Sequence, residues 1–238
     1  MFRFAAKQAA LGRAPRLNSA PKRRPLSNYY SPGGFRLPKG ELALFGVIGA
    51  NVAVALDWNF GFPLSLNQMH KHFLASTYYI FSPQSHLYLH TLFTSSISHI
   101  EPWHLFANMF TLYFFASDVF VRYGPRFALT LYVTAGGLSA LAALAHARYV
   151  EHTHYRVLGA SGAVCAFVTL NILLNPRQIV LVWFVLPVPA AVFGVGYILK
   201  EFWAAYLPLG VSGESHVSHL TGSAIGLLAW TGVRRLRV

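Results

Sequence analysis

Three short fragments of this chain hold the groups that could do chemistry. They are His104-Leu105-Phe106-Ala107-Asn108, Gly159-Ala160-Ser161-Gly162 and His216-Val217-Ser218-His219-Leu220-Thr221-Gly222. A serine hydroxyl is a poor nucleophile until a base takes its proton, and a neutral histidine can do that. Acyl transfer also needs donors aimed at the developing oxyanion. His104 and Asn108 stand at i and i+4, so they share one helix face, and both can donate. Ser161 is therefore the expected nucleophile and His219 the general base and acid. His104 and Asn108 are the expected oxyanion hole, joined by the Ser161 backbone N–H. No Asp or Glu is well placed as a third member: Glu214 is nearest in sequence and is expected in a loop. A Ser–His dyad follows, with activity falling as pH drops through the imidazole range.

Each fragment has a blander explanation. A lone Gly-x-Ser-Gly in a membrane helix is more often a packing motif, and the soluble nucleophile elbow, Gly-x-Ser-x-Gly after a strand, is a different pattern. Gly159 and Gly162 would let a neighbouring helix approach. Gly222 and Gly226 form a small-xxx-small stripe that could seat the Ser161 helix or a dimer partner. His216 and His219, with His99 and His104, could instead hold a metal, although the His-Glu-x-x-His signature of zinc peptidases is absent. No metal and no cofactor are expected.

The elements that must position these groups are membrane helices. Of 238 residues 55% are hydrophobic and only 11% charged, against about 25% in soluble domains. Six apolar runs meet or approach the length of a span, at about 42–58, 102–121, 125–146, 159–175, 178–199 and 216–233. Residues 59–101 form a long, aromatic-rich first loop, expected to be partly helical and to lie in the interface. With six spans both termini share one side. That side collects eight flanking Lys and Arg, and the other collects Lys71, Arg148, Arg156 and Lys200. The starts of spans two, four and six, where His104, Ser161 and His219 lie, then face the same compartment.

Span four runs only sixteen residues from Gly159 to Leu174 before Asn175-Pro176. That is about 24 Å, short of a ~30 Å hydrocarbon core. Its Ser161 end is therefore expected below the membrane surface, in a pocket open to water. Span five contains Pro187, Pro189, Gly194 and Gly196 and is expected to be kinked, a candidate mobile wall for substrate entry.

Residues 1–40 hold nine of the nineteen Lys and Arg and no acid. This composition is that of a mitochondrial presequence, followed from Ser27 by a Pro- and Gly-containing linker. The basic excess belongs to this arm, so no nucleic-acid face is expected. The expected domains are the arm, 1–40, and a membrane domain, 41–238. Cys165 is the single cysteine, which excludes an internal disulfide.

The ordered set His-x-x-x-Asn, Gly-x-Ser-Gly and His followed by Gly resembles the rhomboid intramembrane serine proteases over about residues 42–235. Asn51-Val52-Ala53-Val54, Ser95-Ser96-Ile97-Ser98-His99, Ala107-Asn108-Met109 and Leu158-Gly159-Ala160-Ser161-Gly162-Ala163 are similar to mitochondrial members of the presenilin-associated type. The resemblance implies an all-α, six-helix rhomboid-like bundle in the mitochondrial inner membrane. It also implies metal-free Ser–His cleavage of transmembrane-helix substrates in the lipid bilayer. The alternative is a catalytically inactive relative that binds or escorts membrane helices. Three positions depart from the family pattern. Leu89-His90-Thr91 stands where many bacterial members carry Trp-Arg. Cys165 replaces the aromatic often found four residues after the serine, and Ser218 replaces the usual Ala before the histidine. Mitochondrial relatives typically add a helix ahead of the core, and none is read here.

Overall fold

A computed structural model describes residues 30–31, 34–35, 38–182, 185–206 and 216–235. The first 29 residues, with the proposed presequence, and Glu214 lie outside the described residues. In the segment before Pro38, β1 (Tyr30–Ser31) pairs antiparallel with β2 (Gly34–Phe35). Pro38–Val238 form a compact unit of their own.

That unit opens with α1 (Lys39–Phe60), closed by Gly61 at φ 68°, whose N–H bonds to the Asp57 carbonyl. Glycine occupies that left-handed cap at no steric cost. The first loop is indeed partly helical. It contains α2 (Leu66–His72), opened by a Ser65/Gln68 capping box, then β3 (Ala75–Ser76), α3 (Thr77–Ile80) and α4 (Thr91–Thr94). Next come α5 (Pro102–Arg122), with proline at its first turn, and α6 (Gly124–Tyr149). After β4 (Arg156–Val157) come α7 (Ser161–Leu174), a hairpin of β5 (Ile179–Val182) and β6 (Leu186–Pro189), α8 (Ala190–Tyr206) and α9 (His216–Arg235).

Three of these helices, α1, α5 and α6, are long and apolar enough to cross a membrane by length and composition. α7 is apolar but has 14 residues, about 21 Å. It starts two residues later than expected, because Gly159 sits at φ 118° and cannot continue a helix. Span five needs a larger correction. Its expected first half is the β5–β6 hairpin, with Leu181 opposite Pro187 and Ile179 opposite Pro189. Proline lacks the N–H that a helix interior needs but is tolerated along a strand edge. Pro187 and Pro189 therefore lie outside α8 and do not kink it.

α7 is the centre of the bundle. Its Phe167 is fully buried and stacks on Phe120 of α5 at 5.8 Å, and Asn171 Nδ2 donates to the Phe115 carbonyl at 3.1 Å. Trp230 Nε1 of α9 donates to the Leu173 carbonyl at 3.1 Å. On the α9 side the contact is backbone to backbone. A Cβ on Gly222 would overlap the Gly162 carbonyl oxygen, and one on Gly226 would overlap that of Ala166. The first loop is tied to the lead-in of α7. β3 pairs with β4, Ala75 opposite Val157, and Gly159 N–H donates to the Ser95 carbonyl at 2.9 Å.

This packing makes a signed prediction. Gly222→Ala should destabilise the detergent-solubilised protein by about 1–3 kcal/mol through overpacking. Gly232→Ala, where a Cβ would meet nothing within 4 Å, should instead stabilise by up to ~1 kcal/mol through helix propensity. Thermal unfolding of both variants checks the pair, and equal signs would contradict it.

Candidate active site

Ser161 is the first residue of α7, preceded by a turn whose N–H groups are held by two buried acceptors. Beside the Gly159 bond to Ser95, Ala160 N–H donates to Nε2 of the fully buried His99 at 3.2 Å. The helical ladder starts only at Val164, whose N–H bonds to the Ala160 carbonyl. The N–H groups of Ser161, Gly162 and Ala163 precede that ladder, where a helix start favours developing negative charge. Gly159 is required twice over. Its φ is 118°, and a Cβ there would come within 2.7 Å of His104 Cε1.

His104 thus lies directly against the turn that carries Ser161, and its ring meets His99 edge to face at 5.0 Å. Asn108, buried one turn further along α5, donates from Nδ2 to the His104 carbonyl at 2.9 Å. An amide nitrogen carries two hydrogens, so one remains for a ligand. On the other side of α7, the Cβ position of Gly162 is 3.1 Å from Ser218 Oγ. The residue after Ser161 therefore touches the residue before His219. Gly159, Gly162, Gly222 and Gly226 are all sites of close approach, and the starts of α5, α7 and α9 lie together.

Histidine 219 is held by a group that sequence reasoning missed. Glu201 of α8, 1% exposed, accepts from His219 Nδ1 at 3.0 Å and from His216 Nδ1 at 2.8 Å, both on Oε2. Lys200 Nζ lies 2.8 Å from its Oε1. This corrects the expectation of a histidine with no carboxylate partner. Among the described residues, Ser161 and His219 are not hydrogen-bonded to one another. The alternative metal set of His216, His219, His99 and His104 is split. Glu201, His216 and His219 have ligand atoms within 4.8 Å of one another, while His99 and His104 form a separate pair at the α7 turn.

A signal for Glu201 was available. Once Pro187 and Pro189 are placed outside a helix, the helix must start after them, and residue 201 then falls well inside it. A carboxylate inside a membrane helix is a functional candidate by default.

Residues 86–235 match the Rhomboid domain family. The chain belongs to the rhomboid family. It is 36% identical over 162 residues to RHOMBOID-like protein 12, mitochondrial, of Arabidopsis thaliana, an alignment covering 63% of this chain and 48% of that protein. It is 27% identical over 198 residues to the Homo sapiens presenilin-associated rhomboid-like protein, mitochondrial, covering 80% and 48%. Identity to Rhomboid protein 1, mitochondrial, of Saccharomyces cerevisiae is 28% over 187 residues, covering 78% and 51%. This rhomboid spans about half the length of those curated relatives. With its apolar helices, the likeness makes it a multi-pass mitochondrial membrane protein.

His99, in the loop ahead of α5, gives this rhomboid a pH-sensitive strut. Burial, and next the neighbouring His104, push its imidazole down to about 3. An unfolded histidine takes a proton near 6.5 and the folded one does not. Between these values the unfolded chain binds more protons, so stability falls as pH drops from about 6.5 towards 3. The wild type should lose up to ~1.4 kcal/mol per pH unit more than His99→Asn in that window. Thermal unfolding at pH 7 and pH 5 measures the difference, and parallel losses would remove His99 from this role.

Proposed function

We propose that this chain is an intramembrane serine endopeptidase that cleaves transmembrane segments of membrane-protein substrates. The observation that carries the reading is the contact of Gly162 with Ser218 and Gly222. It sets the residue beside Ser161 against the residues around His219, at the same end of the bundle as His104 and Asn108. Family membership supports it.

In this reading α1 and α5–α9 all cross the mitochondrial inner membrane. The shorter α7 and the more polar α9 are sheltered by the other helices. Residues 1–40 serve as presequence and linker. The brevity of α7 leaves its Ser161 end below the membrane surface, where water is needed for hydrolysis and polar backbone is tolerated in a wet cavity.

Catalysis proceeds in two halves. Ser161 Oγ attacks the scissile carbonyl carbon while His219 Nε2 takes the hydroxyl proton, forming the O–C bond and placing negative charge on the carbonyl oxygen. His104, the free N–H of the Asn108 amide and the Ser161 backbone N–H stabilise that charge. His219 returns the proton to the leaving amide nitrogen as the C–N bond breaks. A water then releases the acyl group from Ser161 by the same route, and no metal or cofactor is required.

The test is covalent labelling of the full chain in detergent by a fluorophosphonate, together with cleavage of a panel of single-span substrates. The wild type should label and cleave, and Ser161→Ala should do neither. Asn108→Ala should retain labelling but lose about 10²-fold in kcat for cleavage, the cost of one oxyanion donor. A properly folded wild type that neither labels nor cleaves would place the chain with relatives that bind membrane helices without cutting them.

A further inference from the structure

α8 carries two side chains toward the catalytic helices, and they sit four residues apart on one face. Tyr197 OH lies 2.8 Å from Sγ of Cys165, one turn after Ser161. Glu201 reaches α9, where a single carboxylate oxygen accepts from both His216 and His219.

We propose that Glu201 is a positioning residue that makes the site a Ser161–His219–Glu201 triad, fixing the His219 ring by hydrogen bonding. The inference rests on the serine-protease reading above. An ionised carboxylate only accepts hydrogen bonds, so the Nδ1 it faces must carry the proton. Nε2 of His219 is then left as a bare lone pair, the atom that must take the Ser161 proton. When that proton arrives, the carboxylate stabilises the resulting imidazolium. Burying a charge without partners would be costly, and Glu201 has three: Lys200 Nζ at 2.8 Å, His216 Nδ1 and His219 Nδ1. Among the described residues, the charged and titratable groups gathered with His219 are Glu201 and, through it, Lys200 from α8 and His216 from α9. From α7, Cys165 lies against Gly222, three residues after His219.

Substitutions in the full chain, assayed in detergent, separate this role from the alternatives. Glu201→Gln keeps the side-chain volume but removes the charge. Its kcat for substrate cleavage and its fluorophosphonate labelling rate should drop about 10²–10⁴-fold, as for the orienting carboxylate of soluble triads. In ¹⁵N spectra at neutral pH its His219 ring should lose the fixed Nδ1–H tautomer, a change that a loss of packing alone would not produce. Glu201→Asp should recover at least about tenfold of the loss. His216→Gln, which leaves the His219 bond in place, should cost less than about tenfold.

The proposal is overturned if Glu201→Gln labels at the wild-type rate with the His219 tautomer unchanged. It is also overturned if His216→Gln costs as much as Glu201→Gln and a chelator abolishes wild-type labelling, since the three residues would then be a metal site. If Glu201→Gln does not fold, ¹⁵N shifts of the His219 ring in Ser161→Ala protein decide: the Nδ1–H tautomer at neutral pH supports the role, and the Nε2–H tautomer overturns it. A wild type that fails to label sinks the protease reading itself, a separate result from a wild type that labels while Glu201→Gln is unaffected.

Discussion

The backbone contact between α7 and α9 is the constraint on which the rest of the site depends. Gly222 faces the Gly162 carbonyl and Gly226 faces the Ala166 carbonyl, with no room for a side chain at either glycine. In lipid, helices gain no hydrophobic advantage from touching each other, so close van der Waals approach through small residues is a main source of cohesion. The first of these contacts lies one residue from Ser161 and three from His219. The interaction that holds the two helices together is therefore the one that brings the starts of α7 and α9, with Ser161 and His219, to the same place.

The remaining elements buttress that pair from three directions. From the first loop, Ser95 and His99 hold the backbone of Gly159 and Ala160, so the turn before Ser161 is shaped by groups more than sixty residues away. From α5, His104 packs on Gly159, and Asn108 is tied to the carbonyl of His104. From α6, Ser139 sits against Gly162. Every one of these contacts lies at the N-terminal end of α7, the end whose backbone donors are left over. A short helix whose first N–H groups precede its hydrogen-bond ladder and are fixed among packed neighbours is a favourable place for negative charge.

Much of this was legible in the sequence because the informative residues are either short-range or required by backbone geometry. His104 and Asn108 share a face by spacing alone. The Asn175-Pro176 stop makes α7 short, and the spacing of Gly222 and Gly226 marks the helix contact. What escaped was long-range or masked by apolarity. β5 and β6 are hydrophobic enough to resemble a membrane span, and only the i, i+2 prolines betray them. Taking that stretch as helix placed Lys200-Glu201 at a span's polar end, where a carboxylate is unremarkable. His99 was visible as a residue, but its bond to Ala160 joins segments that no local pattern connects.

In the proposed triad the group that orients His219 rides on a different helix from Ser161. A carboxylate on α8 holds the histidine only while α8 is seated against α7 and α9, as the Cys165–Tyr197 and Glu201–His219 contacts seat it here. The prolines that would have made a kink lie instead in the hairpin just before Ala190, and Ala190 and Ala191 are tied back to the carbonyls of Gln178 and Pro176. α8 is therefore anchored at its first residues and contributes its orienting group from its fourth turn. In the proposed triad, outward displacement of that turn would break the Glu201–His219 hydrogen bond, so the protease reading ties the alignment of its base to the seating of α8.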